Sequence, residues 1–178
     1  MANKFFSYSF QVSRAKKAGI VLIIFIIILG TISFLWYRSK NNITKLDNLK
    51  YKVVFGMNEF EDGSCDKAYK INYNKNTCGS ICIKKLNKDS DYIKNTKSQL
   101  ETNGFTIKNI NNKKINNKNW EYFSTSNDGP IISYYANNST DKTYVIEKID
   151  QSYYLNNKTK SKCSEIFNKA MGSLKINE

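Results

Sequence analysis

The feature that most constrains this chain is an uncharged apolar run near its start, AGIVLIIFIIILGTISFLW, from Ala18 to Trp36. A helix rises about 1.5 Å per residue, so these 19 residues cover roughly the 30 Å hydrocarbon core of a bilayer. Two lysines precede the run and aromatic and basic residues follow it, as is typical of a helix that ends at a membrane–water interface. The sequence therefore predicts a transmembrane anchor over residues 18–37.

The alternatives for this segment are a buried core helix, which rarely lacks charged residues over about five turns, and a cleaved signal peptide. Such a peptide has a shorter apolar region, followed by small residues at a cleavage site. Here the run ends in FLWYR, from Phe34 to Arg38, and no cysteine follows directly that could carry a lipid. We therefore expect an uncleaved anchor that holds the rest of the chain at the lipid bilayer.

The cysteines indicate on which side of the membrane the rest of the chain lies. All four follow the anchor: Cys65, Cys78, Cys82 and Cys163. An even number of cysteines in a small domain favours structural disulfides and an oxidising compartment. We therefore predict a cytoplasmic tail over residues 1–17 and an extracytoplasmic C-terminal domain with two disulfides. Four cysteines allow three connectivities, and their spacing does not select one.

After the anchor, the sequence predicts a polar linker over residues 38–49 and one domain over residues 50–178. Alternating apolar and polar residues predict about seven strands, and helical periodicity predicts two helices. The predicted strands cover residues 51–55, 67–73, 81–86, 106–115, 118–124, 131–136 and 142–149. The order β-β-β-α-β-β-β-β-α predicts an α+β fold in which both helices pack on an antiparallel sheet.

The two predicted helices and one hairpin have local boundary signals. The first helix is capped by Asp89 or Ser90 and stops at Gly104, which can adopt the left-handed conformation. The second begins at about Lys160, and Asn116-Asn117 predicts a tight hairpin turn between the helices. Apolar side chains recur along the second helix as a stripe that can pack on the sheet: Cys163, Ile166, Phe167, Ala170, Met171 and Leu174.

Three stretches of the domain are similar to a known pattern. They are INNKNWEYF from Ile115, KTYVIE from Lys142 and GSLKI from Gly172. Together they resemble the PsbP-like/DcrB-like α+β domain, in which a hairpin with a Trp or Tyr precedes a Lys-x-Tyr-x-Ile strand and a terminal helix. The resemblance covers residues 50–177 and implies a non-enzymatic extracytoplasmic module, often anchored by a lipid or a helix. It implies no shared active-site residues, and the four cysteines are not part of the pattern.

Charge and composition argue against some function classes. The net charge is +13, with six cations and no acid up to Lys40, and 22 Lys or Arg against 15 Asp or Glu after it. The lysines are spread along the domain, whereas a nucleic-acid interface has a basic stripe with arginines and stacking aromatics. We therefore predict no nucleic-acid partner and a positive surface that faces anionic lipids or anionic wall polymers. The abundance of Lys, Asn and Ile indicates an AT-rich bacterial genome.

The absence of histidine removes several kinds of catalytic site. His-based triads and His metal ligands are not available to this chain. Cys78 and Cys82 form a CxxxC pair, which differs from the CxxC that thiol-redox enzymes place at a helix N-terminus. We favour structural disulfides for these cysteines, with a redox centre and a four-cysteine zinc site as the alternatives.

Two further groups of residues could carry chemistry. Asn58 to Gly63 read as an acidic loop, but Phe60 occupies a position where a calcium loop needs an oxygen ligand, so we expect a solvated loop. The aromatic residues of the strands could stack on sugars or peptides, although such residues more often fill a core. They are Trp120, Tyr122, Phe123, Tyr134, Tyr135 and Tyr144. We therefore predict no catalytic, cofactor-binding or metal-binding residues.

Two functions from different classes follow from these features. The first is a membrane-anchored, non-catalytic binding or accessory domain that contacts another membrane or envelope protein or an anionic wall polymer. The second is an envelope hydrolase or thiol-redox enzyme that uses cysteines or carboxylates. A flat sheet without a pocket would favour the first, and a reactive thiolate or a pocket with two carboxylates would favour the second.

Insertion of the anchor can be tested with a single charge. Ile27 lies at the midpoint of the run, where an arginine should cost about 2.5–3.5 kcal/mol on insertion scales. We expect the unaltered chain to stay in the membrane fraction after carbonate washing and Ile27→Arg to be released in part, with Ile27→Leu as the matched control. Release of a soluble, N-terminally shortened protein from the unaltered chain would show cleavage and contradict the prediction.

Overall fold

A computed structural model describes residues 19–34, 42–88, 91–126 and 129–177. Residues 19–34 form one helix, α1, whose large apolar side chains are exposed. Within the described residues, no helix combines the length and the hydropathy that a membrane crossing requires. Residues 18 and 35–37 of the predicted anchor, residues 18–37, lie outside the described residues, as does the predicted tail, residues 1–17.

The chain divides into two compact units between Asn42 and Ile43, and the strands that the structure describes belong to the second unit. A single turn of 3-10 helix, Ser152–Tyr154, precedes its last helix. The other elements of this unit, in chain order, are β1 (Ile43–Leu46), β2 (Leu49–Lys52), β3 (Met57–Phe60), β4 (Lys67–Tyr73), β5 (Asn76–Asn87), α2 (Tyr92–Thr102), β6 (Ile107–Ile115), β7 (Lys118–Thr125), β8 (Ile131–Asn138), β9 (Lys142–Asp150), α3 (Asn157–Gly172) and β10 (Lys175–Ile176).

These strands form two antiparallel sheets. The main sheet has seven strands in the order β3-β4-β5-β9-β8-β7-β6, and a small sheet has three in the order β1-β2-β10. The α+β class and the antiparallel pairing are therefore confirmed. The arrangement is larger than predicted, because ten strands in two sheets occur in the described part of the chain where about seven in one sheet were expected.

Strand β9 contributes buried side chains to both faces of the main sheet, and one helix packs on each face. From Thr143 to Ile146 its side chains are buried on both faces of the sheet. Tyr144 and Ile146 belong to the hydrophobic cluster that contains α3, whereas Val145, which points the opposite way, belongs to the cluster that contains α2. Helices α2 and α3 therefore pack on opposite faces of the main sheet.

Helix α3 packs through the predicted apolar stripe. Its inner side chains are buried: Cys163, Ile166, Phe167 and Ala170. It begins a few residues before the predicted start, at Asn157, because the side chain of Asn156 accepts a hydrogen bond from the backbone N–H of Thr159 at 2.9 Å and caps the helix. The C-terminal helix is therefore part of the domain core.

Two of the local signals are confirmed by backbone geometry. Gly104 follows α2 with a φ of +81°, the left-handed conformation that ends a helix. Asn116 and Asn117 have φ values of +45° and +65°, as a two-residue turn between β6 and β7 requires, and Asn tolerates this region better than most residues. The two predicted caps of α2, at positions 89 and 90, lie outside the described residues.

The N-terminal part of the domain differs from the prediction. The second half of the predicted linker, residues 38–49, is folded, because Ile43–Leu46 form β1 and β2 begins at Leu49. These short strands are stable because their inner side chains are buried in the core that α3 covers. The first predicted strand, residues 51–55, is accordingly displaced towards the N-terminus.

The predicted acidic loop is also partly wrong. Met57–Phe60 form strand β3, which pairs with β4 at the edge of the main sheet, so only the end of the segment from Asn58 to Gly63 is a loop. Met57 faces the core, whereas the next three side chains are exposed, as is usual on an edge strand. A four-residue strand with one buried side chain has almost no alternating pattern, which is why the sequence did not reveal it.

A substitution of Phe167 tests whether α3 docks on the sheet. Its side chain is 1% exposed, so Phe167→Ala should lower the free energy of unfolding by about 3–5 kcal/mol. Lys169→Ala, on the exposed side of the same helix, should change it by less than about 0.5 kcal/mol. Urea unfolding of the oxidised, detergent-solubilised chain measures both values. An unchanged value for Phe167→Ala would show that α3 does not contribute to the core.

Candidate functional site

The four cysteines form two disulfides. Cys65 pairs with Cys82, with a Cα–Cα distance of 5.6 Å, and Cys78 pairs with Cys163, with a Cα–Cα distance of 5.4 Å. The two cysteines of the CxxxC segment are thus each bonded to a partner elsewhere in the fold and not to one another. The predicted pair of disulfides is present, with the connectivity that the spacing left open.

The two disulfides lie on opposite faces of β5. Ile81 and Ile83 point into the cluster that α3 covers, so Cys82 between them points to the other face, where it holds the loop between β3 and β4. Cys78 belongs to the cluster under α3 and holds that helix through Cys163. Strand β5 is therefore tied covalently to elements on both of its faces.

Gly79 allows β5 to lie close to β9 and leaves room for a ring of α3. Its φ is +141°, in a region that side chains rarely adopt, and a Cβ atom there would collide with the carbonyl oxygen of Ile149. The same Cβ would lie 3.2 Å from Cζ of Phe167. The β4–β5 register shifts next to Ile71, at the same place. Glycine is therefore required where the strand turns Cys78 towards the helix.

The acidic segment does not form a cluster of ligand groups. Glu59 on β3 pairs with Lys67 on β4, and the carboxylate of Asp62 accepts hydrogen bonds from the hydroxyl and the backbone N–H of Ser64, at 2.7 and 2.9 Å. These hydrogen bonds lower the pKa of Asp62, the hydroxyl contributing most. Among the residues described, no group of three or more His, Cys, Asp or Glu side chains is placed to hold a metal ion.

The aromatic residues of the strands fill the core. Five of the six candidates for a stacking surface are buried: Trp120, Phe123, Tyr134, Tyr135 and Tyr144. The sixth, Tyr122, is half-buried and packs against Tyr135 with ring centroids 4.8 Å apart. The core interpretation is therefore confirmed. Among the described residues of the second unit, the exposed aromatic side chains are different ones, namely Phe55, Phe60, Tyr153 and Tyr154.

One polar cluster lies between α2 and the main sheet. Oε1 of Glu147 accepts hydrogen bonds from Nζ of Lys84 at 2.8 Å and from the hydroxyl of Tyr92 at 2.9 Å. Burial, followed by the negative charge of Glu147, raises the pKa of Tyr92, and the same two causes raise the pKa of Tyr134. The cluster contains one carboxylate, so it ties α2 to the sheet but does not bring together an acid–base pair of carboxylates.

A shallow groove lies between α3 and the loop after β2. Its volume is about 300 Å³, and Phe55, 91% exposed, stands at its side. On the helix, Glu165 accepts hydrogen bonds from Lys162 and Lys169 at 2.8 and 2.7 Å, and these bonds lower the pKa of Glu165 to about 2. The charges of the groove are therefore largely paired within the protein.

A different arrangement of charge occurs on the small sheet. The antiparallel register places Lys45 opposite Lys50, and Lys50 opposite Lys175, so three lysines form one row across β1, β2 and β10. Lys52 follows Lys50 by two residues and therefore lies on the same face, opposite Ile43. We name this outer set the lysine face: Ile43, Lys45, Lys50, Lys52 and Lys175.

The inner face of the same sheet explains why the lysines point outwards. Leu49, Tyr51 and Ile176 alternate with the lysines and are buried in the core under α3. The hydroxyls of Tyr51 and Tyr69 hydrogen-bond to each other at 3.0 Å, and burial, followed by this bond, raises the pKa of Tyr51. The apolar side chains therefore fix the register, and the register sets the lysine row.

Among the described residues, the lysine face has no ion-paired counter-charge. None of its four ammonium groups forms an ion pair with a residue that the structure describes. Asp47, in the turn between β1 and β2, is paired with Lys85 at 2.8 Å instead. Like charges directly opposite each other in a sheet repel and weaken its pairing. Four lysines without an ion pair among the described residues thus share one face, and this face is the candidate binding site of the domain.

The lysine face was not predicted, because residues 38–49 were expected to form a linker. The signal was present as ITKL and LKYK, two alternating quartets on either side of Asp47-Asn48. Asp47 has a φ of +51°, as a tight hairpin turn needs. The third strand could not be inferred in this way, because β10 has only two residues and comes from the other end of the domain.

The chain matches no known family model and no curated protein. It is similar to a crystal structure from Bacteroides thetaiotaomicron VPI-5482, with 12% sequence identity and a TM-score of 0.38. The match covers 74% of this chain and 46% of that one, so this chain spans less than half of the length of that structure. A likeness at this level assigns neither a family nor a function.

The two disulfides should differ in their access to reductants. Cys78 and Cys163 are fully buried, whereas Cys65 and Cys82 are partly exposed. Thiolate attack requires access to a sulfur, so we expect limited dithiothreitol to open the Cys65–Cys82 bond first. Alkylation of the native protein followed by peptide mass spectrometry gives the order, and the same treatment in urea should open both. Earlier opening of Cys78–Cys163 would contradict the packing of α3.

Proposed function

We propose that this chain is a single-pass, membrane-anchored, extracytoplasmic domain of a bacterium that binds or assists a partner and has no catalytic activity. The anchor is the run over residues 18–37, the N-terminus lies inside, and the domain that begins at Ile43 lies outside. The resemblance to the PsbP-like/DcrB-like domain supports this proposal, since it implies a non-enzymatic module of the same location.

The observation that carries the location is the pairing of all four cysteines in two disulfides. Disulfides form and persist in oxidising compartments and are rare in the cytoplasm. The Cys78–Cys163 bond lies in the core and joins α3 to β5. An oxidising compartment therefore fits the fold better than a reducing one.

The lysine face supports the part of the proposal in which the domain binds a partner. Four cations share one side of a three-stranded sheet without an acidic partner in the described residues. Such a face attracts anionic surfaces and polymers, and the attraction weakens with salt. The polar cluster at Glu147 and the groove at Glu165, in contrast, have their charges paired within the protein.

Topology gives the direct test of this proposal. Protease added to intact protoplasts should remove the C-terminal domain, because the proposal places it outside, while a cytoplasmic marker protein stays intact. Detection through a C-terminal epitope follows the loss. Protection of the epitope in intact protoplasts, followed by its digestion after lysis, would place the domain inside and overturn the proposal.

A further inference from the structure

We infer that the lysine face docks on the anionic phospholipid headgroups of the membrane in which the chain is anchored. This inference rests on the proposed function, because it requires the domain and the anchor to meet the same leaflet. It adds to that function a partner of defined chemistry, a planar layer of phosphodiester groups, and it names the side chains that contact it.

The arrangement of charge on the lysine face favours an anionic partner. The row Lys45–Lys50–Lys175 brings three ammonium groups side by side on neighbouring strands, about 4.8 Å apart in the backbone. The protein provides no acidic partner for them among the residues described. A fold that keeps like charges opposite each other across two strand pairs loses stability by doing so, unless an external anion neutralises them. An external anion at this face would relieve that repulsion.

The shape of the lysine face favours a planar partner. Side chains stand roughly perpendicular to a sheet, so the four lysines project from it in one layer. Lys52 and Ile43 form a second row beside the first, which makes the charged area two-dimensional rather than linear. A two-dimensional layer of cations matches a layer of headgroups, whereas a soluble polyanion would follow a single line of charge.

The chemistry of the side chains favours a lipid interface over a specific anion pocket. The described part of the domain has no arginine. The face therefore cannot form the pair of parallel hydrogen bonds by which arginine binds a phosphate in a specific anion pocket. Lysines act as point charges that suit many phosphates at once. Ile43 is 46% exposed within the face, and an exposed apolar side chain gains from contact with a lipid interface but not from a hydrated polymer.

Few residues separate the predicted anchor from the first lysine of the face. The predicted anchor ends at Tyr37, and Lys45 follows it by eight residues, a reach of at most about 28 Å in a fully extended chain. A tether this short keeps the effective concentration of the membrane surface high. A weak electrostatic contact therefore suffices to hold the face on the bilayer.

The test uses the full chain in vesicles of phosphatidylcholine alone, or of phosphatidylcholine with phosphatidylglycerol. A membrane-impermeant acetylating reagent labels exposed lysines, and mass spectrometry reads the rate at each one. Lys45, Lys50 and Lys175 should react at least about fivefold more slowly in the anionic vesicles, the occupancy ratio expected for even one lysine at an anionic surface. The difference should vanish at about 1 M salt, where the Debye length is about 3 Å. Lys70 and Lys94, exposed and elsewhere on the domain, should not change.

A matched pair of variants isolates the face from net charge. Lys45→Gln/Lys50→Gln/Lys175→Gln should abolish the protection of the remaining Lys52. Lys70→Gln/Lys94→Gln/Lys158→Gln removes the same charge from other exposed positions and should leave that protection intact. The first variant should also melt no lower than the unaltered chain at low salt, since it relieves repulsion, and this shows that lost protection is not unfolding.

The outcomes separate the inference from the proposed function. A chain that does not float with either vesicle has no anchor, and both fail. A chain that floats but shows equal labelling in neutral and anionic vesicles overturns the inference alone. Protection by inorganic polyphosphate added to neutral vesicles, without protection by phosphatidylglycerol, overturns it in favour of a soluble polyanion as the partner.

Discussion

The contact of α3 with β5 at Gly79 is the constraint on which the rest of the domain depends. The absence of a side chain at Gly79 lets β5 lie against the carbonyl of Ile149 on β9 and leaves room for the ring of Phe167, and the Cys78–Cys163 disulfide fixes the helix there. Lys148 lies over the ring of Phe167, 4.6 Å from its centroid, and covers the contact from the side. Once α3 is held in this way, the position of the chain that follows it is determined.

The C-terminal end of α3 then builds the small sheet. The side chain of Asn116, in the β6–β7 turn, donates hydrogen bonds to the carbonyls of Gly172 and Leu174, both at 2.6 Å. The hydroxyl of Ser173 accepts a hydrogen bond from the backbone N–H of Lys52 at 2.9 Å. These bonds bring β10 beside β2, and only then does Lys175 join the lysine row. The candidate site is therefore a consequence of core packing at the other end of the sequence.

This dependence explains which parts of the fold the sequence could predict. The stripe of α3, the stop at Gly104 and the turn at Asn116-Asn117 are local features, each decided by residues within one or two turns of chain, and they were predicted correctly. Strands β1 and β3 have four residues each, so their alternation is short. Strand β10 has two residues and pairs with β2 from the other end of the domain, so local periodicity could not reveal it. The lysine row joins three such strands, two of them missed and the third misplaced. Its positive charge was visible in the sequence, but the alignment of that charge was not.

The lysine face is not required by the fold that carries it. The small sheet is held by its buried inner side chains, by the backbone of α3 and by the bond from the backbone N–H of Asn48 to the hydroxyl of Tyr144 at 3.2 Å. Polar residues without charge at the outer positions would preserve all of these contacts and would remove the repulsion between strands. The stability of the fold therefore gives no reason for four lysines on this face.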